Sequence, residues 1–253
     1  MNHVSRLAAV VTGSTRGIGR SIAVRLIEEG YKVVLNYAGD DEQAQETLRF
    51  CQQKTTDVLL VKADVSKKSD ANRLMQACVQ AFGTVDVLIN NAARVIDKPF
   101  LALMEEDWDA VVDTNMKGTF LCSQAAAAFM LEQDQGGTII NVGASTGIRG
   151  RVNGVNTCAS KAGIMVMTKC MALELGPKIR VNTIIPGLTL TDETRARFHL
   201  DDPEIRRGRE ATIPLQRIGT PEDVAGGIML LLANEARFIN GSKLVIDGGQ
   251  YMW

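Results

Sequence analysis

The sequence contains no apolar run that approaches the roughly 20 residues needed for a membrane-spanning helix. Its first residues, Met1 to Arg6, lead straight into a strand-like stretch and lack the basic and apolar regions of a signal peptide. The net charge of -1 gives no electrostatic reason to expect binding to nucleic acid or to an anionic membrane. We therefore expect a cytoplasmic protein with no membrane partner and no nucleic-acid partner.

Cysteine clusters and linkers are also missing. The five cysteines are odd in number and form no CxxC or Cys/His cluster, so we expect reduced thiols and neither a disulfide framework nor a metal site. No linker rich in Pro, Ser or Gly, no internal repeat and no low-complexity stretch interrupts the 253 residues. The chain is therefore predicted to form one domain, residues 1–253, with an ordinary soluble core.

Short aliphatic runs alternate with helical patterns along the chain. The predicted strands are Leu7 to Val11, Lys32 to Asn36, Val58 to Lys62, Val87 to Asn90, Thr138 to Val142, Arg180 to Ile184 and Lys243 to Ile246. The predicted helices are Ile18 to Glu29, Asp41 to Lys54, Ser69 to Phe82, Asp107 to Leu131, Val155 to Leu175 and Pro221 to Leu232. Strands separated by helices predict an α/β fold with a doubly wound, parallel, seven-stranded sheet.

One segment, residues 188–213, does not follow this alternation. It is long, polar and interrupted by Pro203 and Gly208, between the end of a strand and the next helix. Such a segment is typical of a lid or substrate loop, and a solvated helical excursion is about equally expected.

A glycine-rich turn follows the first predicted strand and opens the first helix. Glycines allow the backbone to approach a pyrophosphate, whose charge is met by free N–H groups and the helix dipole. The predicted cofactor-binding residues of this turn are Gly13, Ser14, Arg16, Gly17, Ile18 and Gly19.

The GxxxGxG spacing of this turn and several later motifs resemble the short-chain dehydrogenase/reductase family over nearly the whole chain. The matching motifs, in order, are Asp64-Val65, Asn90-Asn91-Ala92-Ala93, Asn115, Pro186-Gly187 with Thr191, Ile239-Asn240-Gly241 and Asp247-Gly248-Gly249. The last two resemble the 3-oxoacyl-carrier-protein reductase branch. The resemblance implies a Rossmann-type fold, a nicotinamide cofactor held by Asp64, Val65, Asn91, Pro186, Gly187 and Thr191, and an active-site role for Asn115.

The same resemblance exposes two missing catalytic residues. Lys161 matches the family's lysine, which binds the cofactor ribose and lowers the pKa of a tyrosine four residues before it, but that position holds Thr157. The family's serine lies 13 positions before the tyrosine, where this chain has Ala144. The remaining tyrosines, Tyr31 and Tyr37 at the nucleotide end and Tyr251 in the C-terminal tail, offer no replacement.

Thr157 and Lys161 share a helix face at i and i+4, but a threonine hydroxyl is shorter and far less acidic than a phenol. A water held by Thr157, Lys161 and Asn115 is one predicted proton source, and Ser145, next to Ala144, is a weak candidate for a further donor. Lys161 and Asn115 are equally compatible with structural roles, Lys161 binding cofactor ribose and Asn115 shaping its helix.

The second strand predicts which nicotinamide cofactor is used. Enzymes that select NAD usually end this strand in an acidic residue. Here the strand ends in Asn36, Asp40 and Asp41 are predicted helix N-cap residues, and Arg16 is available for a 2′-phosphate. The sequence therefore favours NADP(H), with Asn36 at the cofactor site, over NAD(H).

Two functions remain open on these residues. The first is an NADP(H)-dependent oxidoreductase that acts on a small carbonyl, C=N or C=C substrate by a nonstandard proton path. The second is a catalytically inactive NADP(H)-binding scaffold or regulatory subunit. The resemblance also implies a homo-oligomer, a dimer or tetramer, or a hetero-oligomer with an active relative, formed through the family's long fifth and sixth helices and the C-terminal Tyr251-Met252-Trp253.

Overall fold

Seven parallel strands form one sheet in the order β3-β2-β1-β4-β5-β6-β7. The strands are β1 Ala8–Val11, β2 Lys32–Tyr37, β3 Val58–Lys62, β4 Val87–Asn90, β5 Gly137–Val142, β6 Ile179–Pro186 and β7 Lys243–Ile246. The computed structural model describes residues 7–252, so Met1 to Arg6 and the predicted contact residue Trp253 lie outside the described residues. The predicted single α/β domain with a doubly wound, parallel, seven-stranded sheet is confirmed.

Helices cover both faces of the sheet. They are α1 Gly17–Glu28, α2 Asp41–Gln52, α3 Lys68–Phe82, α4 Glu105–Val112, α5 Gly118–Met130, α6 Thr146–Arg149, α7 Val155–Leu175, α8 Asp192–Arg197, α9 Pro203–Glu210 and α10 Pro221–Leu232. Successive β4 residues point to opposite faces, so Leu88 packs among α3 and α5 while Ile89 packs among α1 and α10. Each such fully buried side chain contributes about 1.5–3 kcal/mol. None of the helices in residues 7–252 is long and apolar enough to cross a membrane.

The helix predicted from Asp107 to Leu131 is not continuous. Helix α4 ends at Val112, a π-helical turn spans Asp113–Lys117, and α5 continues from Gly118. Gly118 N bonds Asp113 O, and the Thr119 hydroxyl donates to Asn115 O at 2.7 Å. The side chain of Thr119 therefore satisfies a carbonyl within the wider turn, a local hydrogen bond that apolar periodicity does not reveal.

The segment 188–213 contains helices α8 and α9 and a small apolar core of its own. Leu200, Ile213 and Ile218 are buried together, against partly buried Phe198. Helix α8 is capped by Thr191 and α9 by Asp202, whose side chains accept hydrogen bonds from backbone N–H groups in the first turn. The predicted irregular segment is therefore a folded helical excursion.

The functional end of the sheet is set by its topology. Strands β1 and β4 are neighbours, and the chain leaves β1 towards β2 on one side and reaches β4 on the other. Ligands of doubly wound folds bind outside the carboxyl ends of the strands at this reversal point. The segments that follow β1, β4, β5 and β6 all emerge at this edge.

Candidate active site

The glycine turn after β1 is closely packed at its glycine positions. A Cβ on Gly13 would lie 2.9 Å from Ala92 Cα, and one on Gly19 would lie 2.3 Å from Gly13 O. Gly17 has a φ of +51°, in the left-handed region that favours glycine. The three predicted glycines are therefore required by the geometry of the turn itself.

Ser14 and Asn36 hold this turn through buried side chains. Asn36 Oδ1 accepts from Gly13 N at 3.1 Å, and the Ser14 hydroxyl accepts from Asn36 N at 2.9 Å. Asn36 Nδ2 also donates to Ala63 O at 3.0 Å, which ties β2 to the end of β3. Asn36, predicted at the cofactor site, thus uses its carboxamide to hold the backbone of the turn.

The N-terminus of α1 is open to an anion. Its N-cap residue Arg16 makes no side-chain capping hydrogen bond, and the first turn contains no acidic residue. Arg16 is exposed, and its guanidinium has no partner among residues 7–252. Ile18 is partly buried against the sheet and anchors the turn. Free N–H groups, the helix dipole and an unpaired cation together fit a phosphate-bearing cofactor.

Asp64 and Val65 lie after β3, next to this turn. Asp64 Oδ1 accepts from the Ser66 hydroxyl at 2.7 Å and from Ser66 N at 3.1 Å. Burial acts to raise the pKa of Asp64, but these hydrogen bonds together with the nearby Lys67 ammonium outweigh it and keep the pKa below its usual value. Val65 is buried, and its Cγ2 would lie 2.9 Å from a Cβ on Gly118. Asp64 is therefore held in place at the carboxyl end of β3, and Val65 packs against α5.

Asn91 joins the ends of β1 and β4. Its Nδ2 donates to Thr12 O at 3.0 Å and to Gly13 O at 2.9 Å, while the Thr12 hydroxyl accepts from the N–H groups of Asn91 and Ala92. Thr12 is a residue that the sequence analysis missed. Its only signal is its place before the first glycine. Asn91 and Thr12 thus fix the central part of the crevice.

The residues after β6 close the cleft from the opposite side. Pro186 ends the strand, and Gly187 packs so closely on Asp247 that a Cβ would lie 2.6 Å from the Asp247 Cβ. Thr191 caps α8, and its Cγ2 would lie 3.3 Å from a Cβ on Gly17. The start of α8 and the glycine turn therefore face each other across the predicted cofactor site.

Lys161 is buried where β5 ends. Its Nζ donates to Val142 O at 2.7 Å, and α6 packs against it through Gly147, where a Cβ would lie 2.9 Å from Lys161 Cβ. Burial lowers the pKa of Lys161 to about 8, and the negative charge of Glu193 on α8 partly opposes that change. The sequence analysis did not identify Glu193, because nothing in the sequence indicates that α8 lies near Lys161.

The two substituted positions lie beside Lys161. Thr157 is 5% exposed, and its hydroxyl has one long contact, 3.5 Å to Asn156 Oδ1. Ala144 follows Gly143, and the chain turns helical at Ser145, whose φ and ψ are -56° and -31°. The Ser145 hydroxyl makes no hydrogen bond with the described residues. One weakly engaged hydroxyl group thus stands at the phenol position, that of Thr157, and another lies one residue beyond the serine position, that of Ser145.

The side chain of Asn115, predicted to help hold a water, forms hydrogen bonds to other groups of the protein. Asn115 Oδ1 accepts from Arg94 N at 2.7 Å, and Nδ2 donates to Arg94 O at 3.1 Å and to Ser160 Oγ at 3.0 Å. Ser160 in turn donates to Thr157 O at 2.8 Å. Asn115 is fully buried, and both of its donor N–H groups are used, so its side chain holds the site together.

The sequence analysis also missed Asn156, which positions the start of α7. It is fully buried, and its Nδ2 donates to Ile96 O at 3.0 Å, while its Oδ1 accepts from Thr157 N at 2.7 Å. The start of α7 is thereby tied to the loop that follows β4.

Comparison with known proteins agrees with this geometry. The protein family described as Enoyl-(Acyl carrier protein) reductase matches residues 13–250. The chain is 39% identical over 246 residues to the 3-oxoacyl-[acyl-carrier-protein] reductase FabG of Staphylococcus aureus, covering 97% of this chain and 98% of that protein. The corresponding protein of Staphylococcus epidermidis is 38% identical, with 97% and 99% covered.

Solved structures share the fold at full length. A crystal structure of an actinorhodin polyketide ketoreductase variant with NADPH has a TM-score of 0.93 and 31% identity, with 100% of both chains covered. A short chain dehydrogenase from Bacillus anthracis has a TM-score of 0.86 and 33% identity, with 98% of this chain and 97% of that chain covered. With its sequence, sheet order and glycine turn all in agreement, the chain belongs to the short-chain dehydrogenase/reductase family of oxidoreductases.

Proposed function

We propose that this protein is an NADP(H)-dependent oxidoreductase that acts on a small carbonyl, C=N or C=C substrate and supplies the proton without a tyrosine. The proposal rests on one observation. A complete glycine turn and a buried Lys161 lie at the two ends of the same cleft. Segment 188–213 serves as the lid of this cleft, since Thr191 lies against the glycine turn.

The preference for NADP(H) is supported by the charges at the end of β2. Asp40 accepts from Gln43 N at 3.0 Å as the cap of α2. Asp41 is the first residue of that helix, and it binds Tyr37 OH at 2.8 Å and Lys62 Nζ at 2.9 Å. Both acids are therefore engaged, whereas Arg16 is free to pair with a 2′-phosphate.

Binding titrations test the cofactor preference. We expect NADPH to bind more tightly than NADH, and Arg16→Gln to weaken NADPH binding by about tenfold to a hundredfold, because a charge-assisted hydrogen bond contributes about 1.5–3 kcal/mol. NADH binding should change little. Arg237→Gln removes another exposed arginine far from the cleft and serves as the control. Equal loss of both cofactors in Arg16→Gln would contradict the assignment.

The proton path that we propose begins at Lys161. Bound in the cleft, the reduced nicotinamide supplies a hydride. The Lys161 ammonium, with a pKa of about 8, is protonated at neutral pH and keeps one proton on Val142 O. The hydroxyl groups of Thr157 and Ser145 have no strong partner in the described structure and are available to orient the reacting group or a water molecule. Loss of acid catalysis lowers the rate by about 10²- to 10⁴-fold, and a substrate that requires little protonation, such as an iminium, would tolerate that loss.

The pH profile of reduction tests the role of Lys161. The rate is expected to fall as the pH rises through about 8, because the ammonium loses its proton there. Glu193 acts to raise this pKa, so Glu193→Gln should move the fall to lower pH. Glu235→Gln, on an exposed turn away from the site, is the control. A profile that is flat between pH 7 and 9, or unchanged in Glu193→Gln, would contradict this role.

The alternative function is an inactive NADP(H)-binding scaffold or regulatory subunit, which the loss of both the phenol and the serine favours. A turnover screen with ketones, 3-oxoacyl thioesters, quinones and imines separates the two functions. Turnover of any class supports the enzyme. Tight NADPH binding with no turnover would leave only the scaffold, and negligible binding of both cofactors would exclude both functions.

We also propose a homo-oligomer, a dimer or tetramer, or a hetero-oligomer with an active relative. Large apolar side chains are exposed before α4, on α5, on α7, before β7 and near the C-terminal end: Leu101, Phe120, Leu173, Phe238 and Met252. Such surfaces suit burial against another subunit. A monomer in gel filtration would contradict the homo-oligomer.

A further inference from the structure

Arg94 lies in the segment that follows β4, at the carboxyl edge of the sheet, in a fixed backbone position. It follows β4 by four residues, beyond Asn91 and Ala92, which contact the glycine turn. Both polar groups of its backbone bind the buried carboxamide of Asn115, at 2.7 Å and 3.1 Å. Through Asn115 and Ser160 this backbone is linked to the carbonyl of Thr157. Arg94 is therefore a close neighbour of the altered catalytic position.

The charges around Arg94 are neutralised by other residues. Asp97 binds Arg151 through both carboxylate oxygens. Lys98 forms an ion pair with Asp107 at 2.6 Å. The Arg94 guanidinium itself is exposed and makes no hydrogen bond or ion pair with residues 7–252. The segment after β4 thus keeps one unpaired positive charge, that of Arg94, beside the site.

The clamped backbone fixes where the Arg94 side chain begins, and its guanidinium has no partner in the described part of the chain that an anion would have to displace. A guanidinium matches a carboxylate with two parallel hydrogen bonds. On the other side of the cleft, Glu193 already acts on Lys161 with a negative charge. One arginine neutralises the charge of a carboxylate but only part of the charge of a phosphate ester. A singly charged carboxylate is therefore a better match than a doubly charged phosphate ester.

Building on the proposed oxidoreductase function, we propose that Arg94 binds a carboxylate of the substrate, so that the substrates are small oxo acids. The carboxylate is held by Arg94 while the carbonyl group lies towards Thr157 and Lys161. Arg94 then determines specificity and takes no part in the proton transfer.

Matched acid and ester substrates test this role. The probes are 2-oxobutanoate and 3-oxobutanoate, their methyl esters, and dihydroxyacetone phosphate, each measured with NADPH. We expect the unmodified protein to prefer the acids over the esters and over the phosphate. Arg94→Gln should lower kcat/KM for the acids by about tenfold to a hundredfold, mainly through KM, and change the esters less than about twofold. Arg94→Lys should recover part of the loss, and Arg237→Gln should have no effect.

A binding experiment keeps this test separate from the test of catalysis. Butanoate has no reducible carbonyl, and its binding to the NADPH complex can be followed by calorimetry. If no carbonyl is reduced but butanoate binds with a dependence on Arg94, the proposed activity fails and the carboxylate site stands. If acids and esters are reduced equally well, or Arg94→Gln affects both alike, the carboxylate site is overturned while the activity stands. A preference for dihydroxyacetone phosphate that is lost in Arg94→Gln would assign the site to phosphate esters and also overturn the proposal.

Discussion

The double substitution Ala144→Ser with Thr157→Tyr is expected to raise ketone reduction by about 10²- to 10⁴-fold, the usual contribution of positioned acid catalysis. Lys161 is already in place on the next turn of α7, and Thr157 lies with its backbone tied to Asn156 and Ser160. A phenol at position 157 would therefore meet a lysine that can lower its pKa. The measurement is the initial rate of NADPH oxidation over a panel of ketones.

Ala144→Ser with Thr157→Phe is the matched control. It adds the same ring without the hydroxyl, so it should leave the rate near that of the starting protein. A gain in both double variants would mean that the ring acts by packing, and a gain in neither would mean that the substrate pocket has also diverged. Only a gain confined to the tyrosine variant identifies the missing proton donor.

Gly19→Ala is expected to cause the largest loss of cofactor binding from a single methyl group. The new Cβ would lie 2.3 Å from Gly13 O and 2.4 Å from Asn91 Nδ2. Neither atom can yield freely, because the two are hydrogen-bonded to each other at 2.9 Å and Gly13 is packed on Ala92. Overpacking of this kind costs about 1–3 kcal/mol, which lowers Tm by several degrees in a chain of this size. NADPH affinity should fall by at least about tenfold.

Gly226→Ala is the control for that experiment. Gly226 lies inside α10, and a Cβ there would meet nothing within 4 Å. Alanine favours a helix over glycine by up to about 1 kcal/mol, so Tm should stay the same or rise and NADPH binding should not change. Equal behaviour of the two variants, in thermal unfolding and in titration, would refute the close packing of the turn.

Local patterns predicted the elements well because strand and helix periodicity depends on neighbouring residues. Helices α7 and α10 begin and end where the sequence predicted, at Val155 to Leu175 and Pro221 to Leu232. One exception is the π-helical turn at Asp113–Lys117, where the Thr119 hydroxyl donates a hydrogen bond to Asn115 O. Apolar spacing carries no information about such a bond, so the helix was predicted as continuous.

The sequence by itself determined the doubly wound sheet, the glycine turn after β1 and the absence of a phenol at position 157, because each depends on the identity and spacing of residues close in the chain. Only the tertiary structure decided that the carboxamides of Asn36 and Asn115 bind other parts of the protein, that Lys161 is desolvated with a pKa of about 8, and that the backbone of Arg94 is held by Asn115. These properties arise from contacts between distant segments and from burial, and neither is encoded in local spacing.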